Sequence, residues 1–518
     1  MKFTQKALPF LILTFFACSV SAQKQIDYKS DWGERLPSFP NQLILKSNVV
    51  FVHEDMTMNC DSAVFHTDEN FIEAFGRIHI FQDTIHLYGD QVYYDGDTKI
   101  AEIFGVSVSR LLGETVTLHD DKVTLQTDYM VWERDYETMR YTNSADIWDE
   151  ESTLYSLTGT YHTATKQFEF SDNVSIKSPD ANIESDSLFY DSKTDWAYFY
   201  APTTITTSDS VLIETERGDF NIKTNQSILY QNNRIRQKAQ TLIADSIDYN
   251  TETQCGKAFG NIFIQDTANS VQAYGNYLET DRKDSLKYAF LVGEVLLQQI
   301  EESDTLHMHS DTLWVNFDSI DNAEQMLAYK HVKVFRQDMQ AACEYADYRI
   351  NDSIVYLLER PVLWQEESQF TADTIRIRVD KKGVKQMFLY PNPFIVQNSD
   401  TLTQKYFNQI SGKYLSATFS KNKISYAQID GNINLIYHLW EEEKGKEKRH
   451  TGINIGTCAT LKIYFEKGKP KKMTAVQNPD FYLDDEQRIN EQDKTLKGFI
   501  LLEEHRPKSP QDIFIHRD

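Results

Sequence analysis

The feature that most constrains this chain is a repeat of acidic residues, each followed by an alternating apolar run. These acidic anchors are separated by 29, 38, 58, 59, 66 and 62 residues, and the last four intervals are close to twice the first. We interpret each long interval as two units, of which one has lost its anchor. Internal repetition of this kind is typical of structural units that stack on their neighbours. The anchors are Asp61, Asp90, Asp128, Asp186, Asp245, Asp311 and Asp373.

Apolar residues stand two and four positions after every anchor, and this spacing predicts β-strands. Alternation with a period of two places neighbouring side chains on opposite faces of a pleated strand, so one face is buried. The second positions hold Ala63, Val92, Met130, Leu188, Ile247, Leu313 and Ile375. The fourth positions hold Phe65, Tyr94, Trp132, Tyr190, Tyr249, Val315 and Ile377.

A second alternating run follows about 15 to 21 residues after several anchors, as in Ile78-His79-Ile80 and Ile262-Phe263-Ile264. Turn-prone residues such as Gly76 and Asn261 precede these runs, and Asp95-Gly96-Asp97 is a typical tight turn. We therefore predict units of strand, turn, strand and returning loop. Because one hairpin cannot bury an apolar face alone, the units stack into an elongated, repetitive all-β structure with one apolar interior face.

The N-terminus has the pattern of a secretory signal peptide. Lys2 and Lys6 precede an apolar stretch from Ala7 to Val20, and small residues follow up to Ala22. Cys18 would be the lipidated residue of a lipoprotein signal, but Phe15-Phe16-Ala17 is a poor approach to such a cysteine. We expect an exported, water-soluble protein in the periplasm, with association to the outer membrane as a further option.

Composition excludes several functions. The chain has 53 basic and 77 acidic residues, a net charge of −24, which becomes −26 without Lys2 and Lys6. This balance is poor for nucleic-acid binding, which needs clustered cations. The remaining cysteines, Cys60, Cys255, Cys343 and Cys458, are too widely spaced for a zinc motif, and we expect buried, small apolar side chains.

The sequence shows no signature of an enzyme or a cofactor site. Glycine-rich nucleotide loops, nucleophile elbows and His-Glu-x-x-His patterns are absent. The Asp-Ser and Asp-Thr pairs at the anchors recur in every second unit, whereas an active site occurs once, so we expect them to be structural. His307, His309 and Asp311 alternate along a strand and could share a face, but no fourth ligand is evident. We therefore predict neither catalysis, nor a cofactor, nor a metal.

The repeated strands resemble the OstA-like family of organic-solvent-tolerance and lipopolysaccharide-transport proteins. The resemblance lies in Asp186-Ser187-Leu188-Phe189-Tyr190 and in Gly260-Asn261-Ile262-Phe263-Ile264, and it extends from about Leu43 to Pro479. It implies an open β-jelly-roll, folded like a taco shell, in a Gram-negative periplasm. It also implies that the interior binds acyl chains of the lipid A part of lipopolysaccharide. Partners would be jelly-roll transport proteins of the inner and outer membranes, joined by end-to-end strand pairing, with a homo-oligomer as a further option.

Under this resemblance, the inward apolar positions would line the lipid. They are Phe65, Ile78, Ile80, Val92, Tyr94, Val106, Val108, Trp132, Leu188, Tyr190, Ile247, Tyr249, Ile262, Ile264, Leu313, Val332 and Val334.

The predicted domain organisation places the repeat modules between an N-terminal export segment and a polar C-terminal tail. We divide the chain into a signal peptide (1–22), an N-terminal linker (23–41), two OstA-like modules (42–205 and 206–400), a C-terminal module (401–500) and a loosely held polar tail (501–518). Two other functions fit a β-repeat chain: a parallel β-helix enzyme acting on polysaccharide, and a secreted scaffold or adhesin. The even spread of the anchors disfavours the enzyme, because catalytic carboxylates would cluster on adjacent coils.

Overall fold

The computed structural model describes residues 25–105, 115–283, 286–301, 304–380, 383–400, 405–441, 449–466 and 469–516. The predicted signal peptide, together with Val106 and Val108, lies outside these residues. The chain divides into two compact units, Met1–Lys177 with Phe189–Lys193, and Ser178–Leu188 with Thr194–Asp518. Within the described ranges, no helix is long and apolar enough to cross a membrane.

The first unit is built from short and long strands joined by tight turns. Its strands are β1 (Asp27–Lys29), β2 (Trp32–Leu36), β3 (Phe39–His53), β4 (Met56–His66), β5 (Phe71–Gln82), β6 (Ile85–Asp95), β7 (Ile100–Phe104), β8 (Val116–Asp120), β9 (Val123–Thr127), β10 (Tyr129–Glu133), β11 (Thr138–Tyr141), β12 (Ala145–Trp148), β13 (Thr153–Ser156), β14 (Thr158–His162) and β15 (Gln167–Lys177). A single 3-10 turn, Arg134–Tyr136, interrupts them in this described part, and β16 (Ala181–Asp191) has residues in both units.

The second unit continues the same pattern. Its strands are β17 (Trp196–Phe199), β18 (Thr203–Thr207), β19 (Leu212–Thr215), β20 (Arg217–Asn221), β21 (Gln226–Gln231), β22 (Asn233–Gln237), β23 (Gln240–Ala244), β24 (Ser246–Asn250), β25 (Cys255–Asp266), β26 (Val271–Asp281), β27 (Lys287–Ile300), β28 (Thr305–Phe317), β29 (Ala323–Arg336), β30 (Met339–Arg349), β31 (Ile354–Leu358), β32 (Val362–Gln365), β33 (Ser368–Thr371), β34 (Thr374–Asp380), β35 (Gly383–Tyr390), β36 (Phe394–Asn398), β37 (Phe407–Ser411), β38 (Tyr414–Ser420), β39 (Lys423–Glu441), β40 (Arg449–Glu466), β41 (Lys469–Val476) and β42 (Asp480–Asp484). Short 3-10 turns follow at Glu486–Arg488, Glu491–Lys494, Glu503–His505 and Pro510–Phe514.

The prediction of an all-β fold built from stacked strand pairs is confirmed. Long neighbouring strands pair antiparallel, as β3 does with β4, β4 with β5 and β5 with β6 in the first unit. In the second unit, β25 to β30 pair in the same consecutive order. A parallel β-helix needs parallel pairing between successive coils. The antiparallel register therefore makes the β-helix alternative wrong.

The predicted turns before the second alternating runs are wrong, because long strands pass through those positions. β5 contains Gly76 and Arg77, with φ of 76° and 41°, and β25 contains Gly260 and Asn261, with φ of 71° and 43°. The pairing register shifts at both places. Two consecutive residues in the left-handed region form a β-bulge, which bends the strand without ending it. The tight turn at Asp95-Gly96-Asp97 is present, with the Asp97 amide donating to Asp95 Oδ1 at 2.8 Å.

The two ends of the described chain are more ordered than the sequence indicates. Residues 23–41, predicted as a linker, include β1, β2 and the start of β3. The polar tail at 501–518 packs through its last 3-10 turn against β28 and β29, and Ile513 is fully buried there. The expected loose attachment of the tail is therefore wrong, because an apolar side chain anchors it. The module boundaries at 205 and 400 stay predictions.

Candidate functional site

Several acidic anchors lie at bulges, where their carboxylates bind side chains of the next strand. Asp61 Oδ1 accepts from Arg77 Nη2 at 2.6 Å, and this bond lowers the pKa of Asp61. Asp245 Oδ2 accepts from Asn261 Nδ2 at 2.9 Å. A similar contact recurs at Asp311, where His331 Nδ1 lies 3.0 Å from Oδ1, and this recurrence is consistent with the predicted structural role. Their partner differs from the expected one, because it is a bulge side chain and not the local backbone.

In the first unit, two rows of apolar side chains run across the paired strands. Every member of both rows is at most 7% exposed. The first row is Phe51, Met58, Ile80, Leu87, Leu118, Leu125, Ile147, Leu154 and Ile176. The second row is Leu43, Phe65, Ile72, Tyr94, Ala101, Trp132, Met139, Tyr161 and Phe168.

The second unit has two corresponding rows, each crossing many strands in unbroken register. One row is Ile183, Ile205, Ile213, Ile235, Leu242, Ile264, Ala273, Leu297, Met308, Val334, Ala341, Leu363, Phe370, Ile395, Ile410 and Leu435. The other is Leu229, Ile247, Ala258, Leu278, Leu291, Leu313, Ala328, Ala346, Leu357, Ile375, Leu389, Leu415, Ile429, Leu461 and Ala475. We call these rows, in each unit, the inward rows.

The predicted lining residues fall into three groups by exposure. Tyr249, Ile264 and Val334 are half-buried, and Val106 and Val108 lie outside the described residues. The remaining predicted residues are buried: Phe65, Ile78, Ile80, Val92, Tyr94, Trp132, Leu188, Tyr190, Ile247, Ile262, Leu313 and Val332. All fifteen described positions are thus at least half-buried. Their burial is consistent with an inward face, and lipid lining stays a prediction.

Sequence reasoning missed many members of the inward rows, including Leu242, Leu297, Leu363, Phe370 and Ile410. These residues stand in units whose acidic anchor is missing, so the anchor could not mark them. The period-two alternation alone would not have found them either, because Thr241-Leu242-Ile243 and Asn408-Gln409-Ile410 lie on strands but do not alternate between apolar and polar residues. What the sequence lacks is the pairing register that joins them in one row.

The inward rows of the second unit are less completely covered over β25 to β29. Ile264, Leu278, Leu297, Val315 and Met326 all point into the inward side and are only half-buried. In the first unit the equivalent side chains are closed to solvent. Partly exposed apolar side chains in contiguous register form a surface that an alkyl chain can cover.

Two cations, Arg282 and Lys287, stand at the end of this half-buried region, each within 4 Å of the Asp321 carboxylate. The guanidinium of Arg282 stacks over the ring of Phe317 at 3.1 Å from its centroid, and its Nε donates to Thr280 Oγ1 at 3.2 Å. Burial lowers the pKa of Arg282 from its ordinary value. The nearest carboxylate is that of Asp321, 3.7 Å from Arg282 Nη1. The site therefore combines apolar side chains with two cations that share one carboxylate.

Two of the cysteines in the described part of the chain, Cys60 and Cys343, are poor nucleophiles. Cys60, Cys255, Cys343 and Cys458 are all free thiols, and all except the half-buried Cys255 are buried. Burial raises the pKa of Cys60 and of Cys343 to about 12, so the reactive thiolate is scarce at neutral pH. The predicted role as small apolar side chains is consistent with this burial.

Comparison with known proteins locates the family resemblance on the chain. A family model described as OstA-like protein matches residues 34–186. No curated protein matches the chain. Thirteen chains of solved structures do match. One is the crystal structure of LptH, described as the LptA homologous periplasmic component of the conserved lipopolysaccharide transport device from Pseudomonas aeruginosa. The match is 16% identical, covers 21% of this chain and 75% of that chain, and has a TM-score of 0.18. Residues 34–186 of this chain are thus similar to the OstA-like family.

Proposed function

We propose that this protein is a periplasmic lipopolysaccharide-transport component that binds the acyl chains of lipid A along its inward rows. The observation that carries the proposal is the OstA-like segment at 34–186 in a chain whose paired strands present unbroken apolar rows. Transfer of a lipid along such a surface uses no catalytic residue. Burial of one 14-carbon chain would contribute on the order of 10 kcal/mol before the cost of association, at ~0.8 kcal/mol per methylene.

The half-buried region over β25 to β29 is the best place for an acyl chain. Its inward side chains are already partly desolvated, and they leave apolar area for a ligand to cover. Arg282 at the end of this region supplies a guanidinium, which binds phosphate oxygens in bidentate fashion. A local cation offsets the unfavourable charge of −26, because attraction at close range is less screened than the field of distant surface carboxylates.

Bridging to partners would use the strands at the ends of the chain. β1 and β2 pair with β3, and β41 and β42 pair with β40. Strand addition at such ends supplies main-chain hydrogen bonds without requiring a particular side-chain sequence. We propose that jelly-roll transport proteins of the inner and outer membranes pair there, and that the same ends would serve a homo-oligomer.

Site-specific photo-crosslinking in living cells tests the lipid site directly. A benzophenone amino acid at Ile264 faces the inward side, whereas the same probe at the adjacent Phe263 faces the opposite side of β25. We expect a lipopolysaccharide adduct from position 264 and none from position 263. Equal adducts from both positions, or none from position 264 in a folded protein, would contradict the proposed site and favour a secreted scaffold.

A further inference from the structure

Three potential metal ligands meet where the end of the chain crosses β28. Suitable ligand atoms of His309, Asp311 and His516 all lie within 4.8 Å of one another. The alternation in the sequence instead predicts that His307 shares a strand face with His309 and Asp311. In the structure His307 Nδ1 lies 3.1 Å from Gln298 Nε2, and His516 takes the third place in the cluster. The third ligand thus comes from a residue far away in the sequence.

His309 is oriented as a ligand. Its side chain is 1% exposed, and its Nδ1 lies 2.9 Å from the carbonyl oxygen of Val295. A carbonyl only accepts, so Nδ1 carries the proton and Nε2 keeps a free lone pair. Nε2 is buried and has no hydrogen-bond partner within the described chain. A backbone carbonyl that fixes the tautomer of a buried imidazole is the usual outer-shell arrangement of metal-binding histidines.

A β-bulge brings a fourth candidate to the cluster. The register between β28 and β29 shifts after His309, and Lys330 and His331 have φ of 60° and 49°. The bulge places His331 Nδ1 3.0 Å from Asp311 Oδ1. The His331 ring centroid lies 4.2 Å from that of His516. The side chains of His331 and Asp311 are 44% and 41% exposed, which leaves an entry path for an ion.

We propose that His309, Asp311 and His516 bind a divalent transition-metal ion of the zinc class, with His331 as the fourth ligand. Imidazole nitrogens with one carboxylate oxygen suit Zn²⁺, whereas Ca²⁺ and Mg²⁺ prefer sets of oxygen ligands. Ligand atoms of a tetrahedral zinc ion are about 3.3 Å apart, so the cluster needs only a modest contraction. The nearby amine of Lys333 donates to the carbonyl of Ile515 and points at the backbone.

Such an ion would attach the end of the chain to the sheet. Phe514 already packs its ring 4.8 Å from that of His309, centroid to centroid, and Ile513 beside it is fully buried. The chain end is therefore held in position before any ion binds. This pre-organisation lowers the ordering cost of bringing His516 to a metal.

Zinc titration of the tag-free mature chain, stripped with a chelator and monitored by competition with a chromophoric chelator, tests the site. We expect one equivalent of Zn²⁺ per chain, and at least tenfold weaker binding in His309→Gln and in His516→Gln. His307→Gln, on the same strand but outside the cluster, is the matched control and should bind as the wild type does. Far-UV circular dichroism checks the folding of each variant.

A second readout reports on the attachment of the chain end. Zn²⁺ should slow amide hydrogen exchange in residues 510–516 of the wild type, and it should leave exchange there unchanged in His516→Gln. The proposal is overturned if the wild type takes up no stoichiometric zinc. It is equally overturned if folded His309→Gln and His516→Gln bind zinc as tightly as His307→Gln does.

Discussion

At the scale of single residues, the inward apolar side chains contribute to stability as well as to any binding surface. Phe65 is 1% exposed, and its ring makes edge contacts with Tyr28 at 5.7 Å and Phe51 at 5.9 Å. A fully buried ring leaves no room for a ligand in this state. We therefore expect substitutions in the first unit to report on folding, and substitutions at half-buried positions of the second unit to report on lipid.

Truncation of Phe65 should destabilise the first unit. We expect Phe65→Ala to lower the free energy of unfolding by about 3–5 kcal/mol, because a buried ring is replaced by a cavity. Phe259→Ala is the control, since Phe259 is 45% exposed, and it should cost less than about 1 kcal/mol. Urea unfolding followed by tryptophan fluorescence measures both. Equal losses in the two variants would show that the interior of the first unit is not tightly packed.

His438 should make the stability of the second unit depend on pH. Burial lowers its pKa from the ordinary 6.5 to about 4. Between these pH values the imidazole is protonated in the unfolded chain and neutral in the folded chain. Stability is then fully present above pH 6.5 and falls as the pH approaches 4, by on the order of 3 kcal/mol from this group. Urea midpoints across this range should fall less steeply in His438→Gln. A variant profile that parallels the wild type would contradict this assignment.

At the scale of elements, the β-bulges decide where each long strand bends. Gly260 has φ of +71°, and a Cβ added there would lie 2.3 Å from Asp245 Oδ2. We expect Gly260→Ala to cost about 1–3 kcal/mol, since both the backbone conformation and the anchor contact are disturbed. Gly33→Ala, whose Cβ would lie 3.3 Å from the flexible Leu45 side chain and no closer than 3.9 Å to any other atom, should cost less than about 1 kcal/mol. Denaturant midpoints compare the two, and a larger loss at Gly33 would be evidence against the bulge account.

The strands were predictable from the sequence, whereas the bulges and the chain end were not. Ile78 and Ile80 alternate with the polar His79, and local periodicity is sufficient to identify such a strand. The dipeptide Gly260-Asn261 is compatible with a turn and with a bulge, because both conformations need positive φ. The choice depends on whether a long partner strand such as β26 is present. His516 reaches His309 only through the packing of the chain end, which no local pattern encodes.

Side-chain amides of the sheet hold the C-terminal segment. Gln369 donates to the Ile500 carbonyl at 2.9 Å and accepts from the Leu502 amide at 2.8 Å. Gln409 makes the same pair of bonds to the Lys494 carbonyl, at 3.0 Å, and the Leu496 amide, at 2.8 Å. Each glutamine thus binds the segment as a neighbouring strand would, through one carbonyl and one amide.

Removal of both glutamines should loosen the segment without unfolding the sheet. We expect roughly fivefold faster hydrogen exchange of the Leu496 and Leu502 amides in Gln369→Ala/Gln409→Ala, because each amide loses a bond worth about 1 kcal/mol. Gln272→Ala is the control, since Gln272 accepts instead from the hydroxyl of Tyr274. Mass-spectrometric exchange over 490–505 reports the result. Unchanged rates there would mean that apolar packing alone holds the segment.

At the scale of the whole molecule, the proposed lipid transport requires the inward rows to be a ligand surface as well as a core. Without residues 1–22 the chain carries a charge of −26, so under the proposed function attraction to a phosphorylated lipid would come from local features such as Arg282 and from acyl burial. If acyl burial supplies most of the binding free energy, lipid affinity should depend only weakly on salt, because apolar contacts are not screened. A scaffold with a closed core would bind no lipid under any ionic condition.

Native mass spectrometry, with lipid extraction from mature protein purified out of its own cell envelope, shows whether the inward rows bind lipid. We expect co-purified lipopolysaccharide or lipid A, which should be retained at high salt and released by detergent. If the protein is lipid-free and does not bind added lipid A, while its circular dichroism shows intact β-structure, the proposed lipid binding is contradicted. The inward rows would then be closed core, and the secreted scaffold would become the better description.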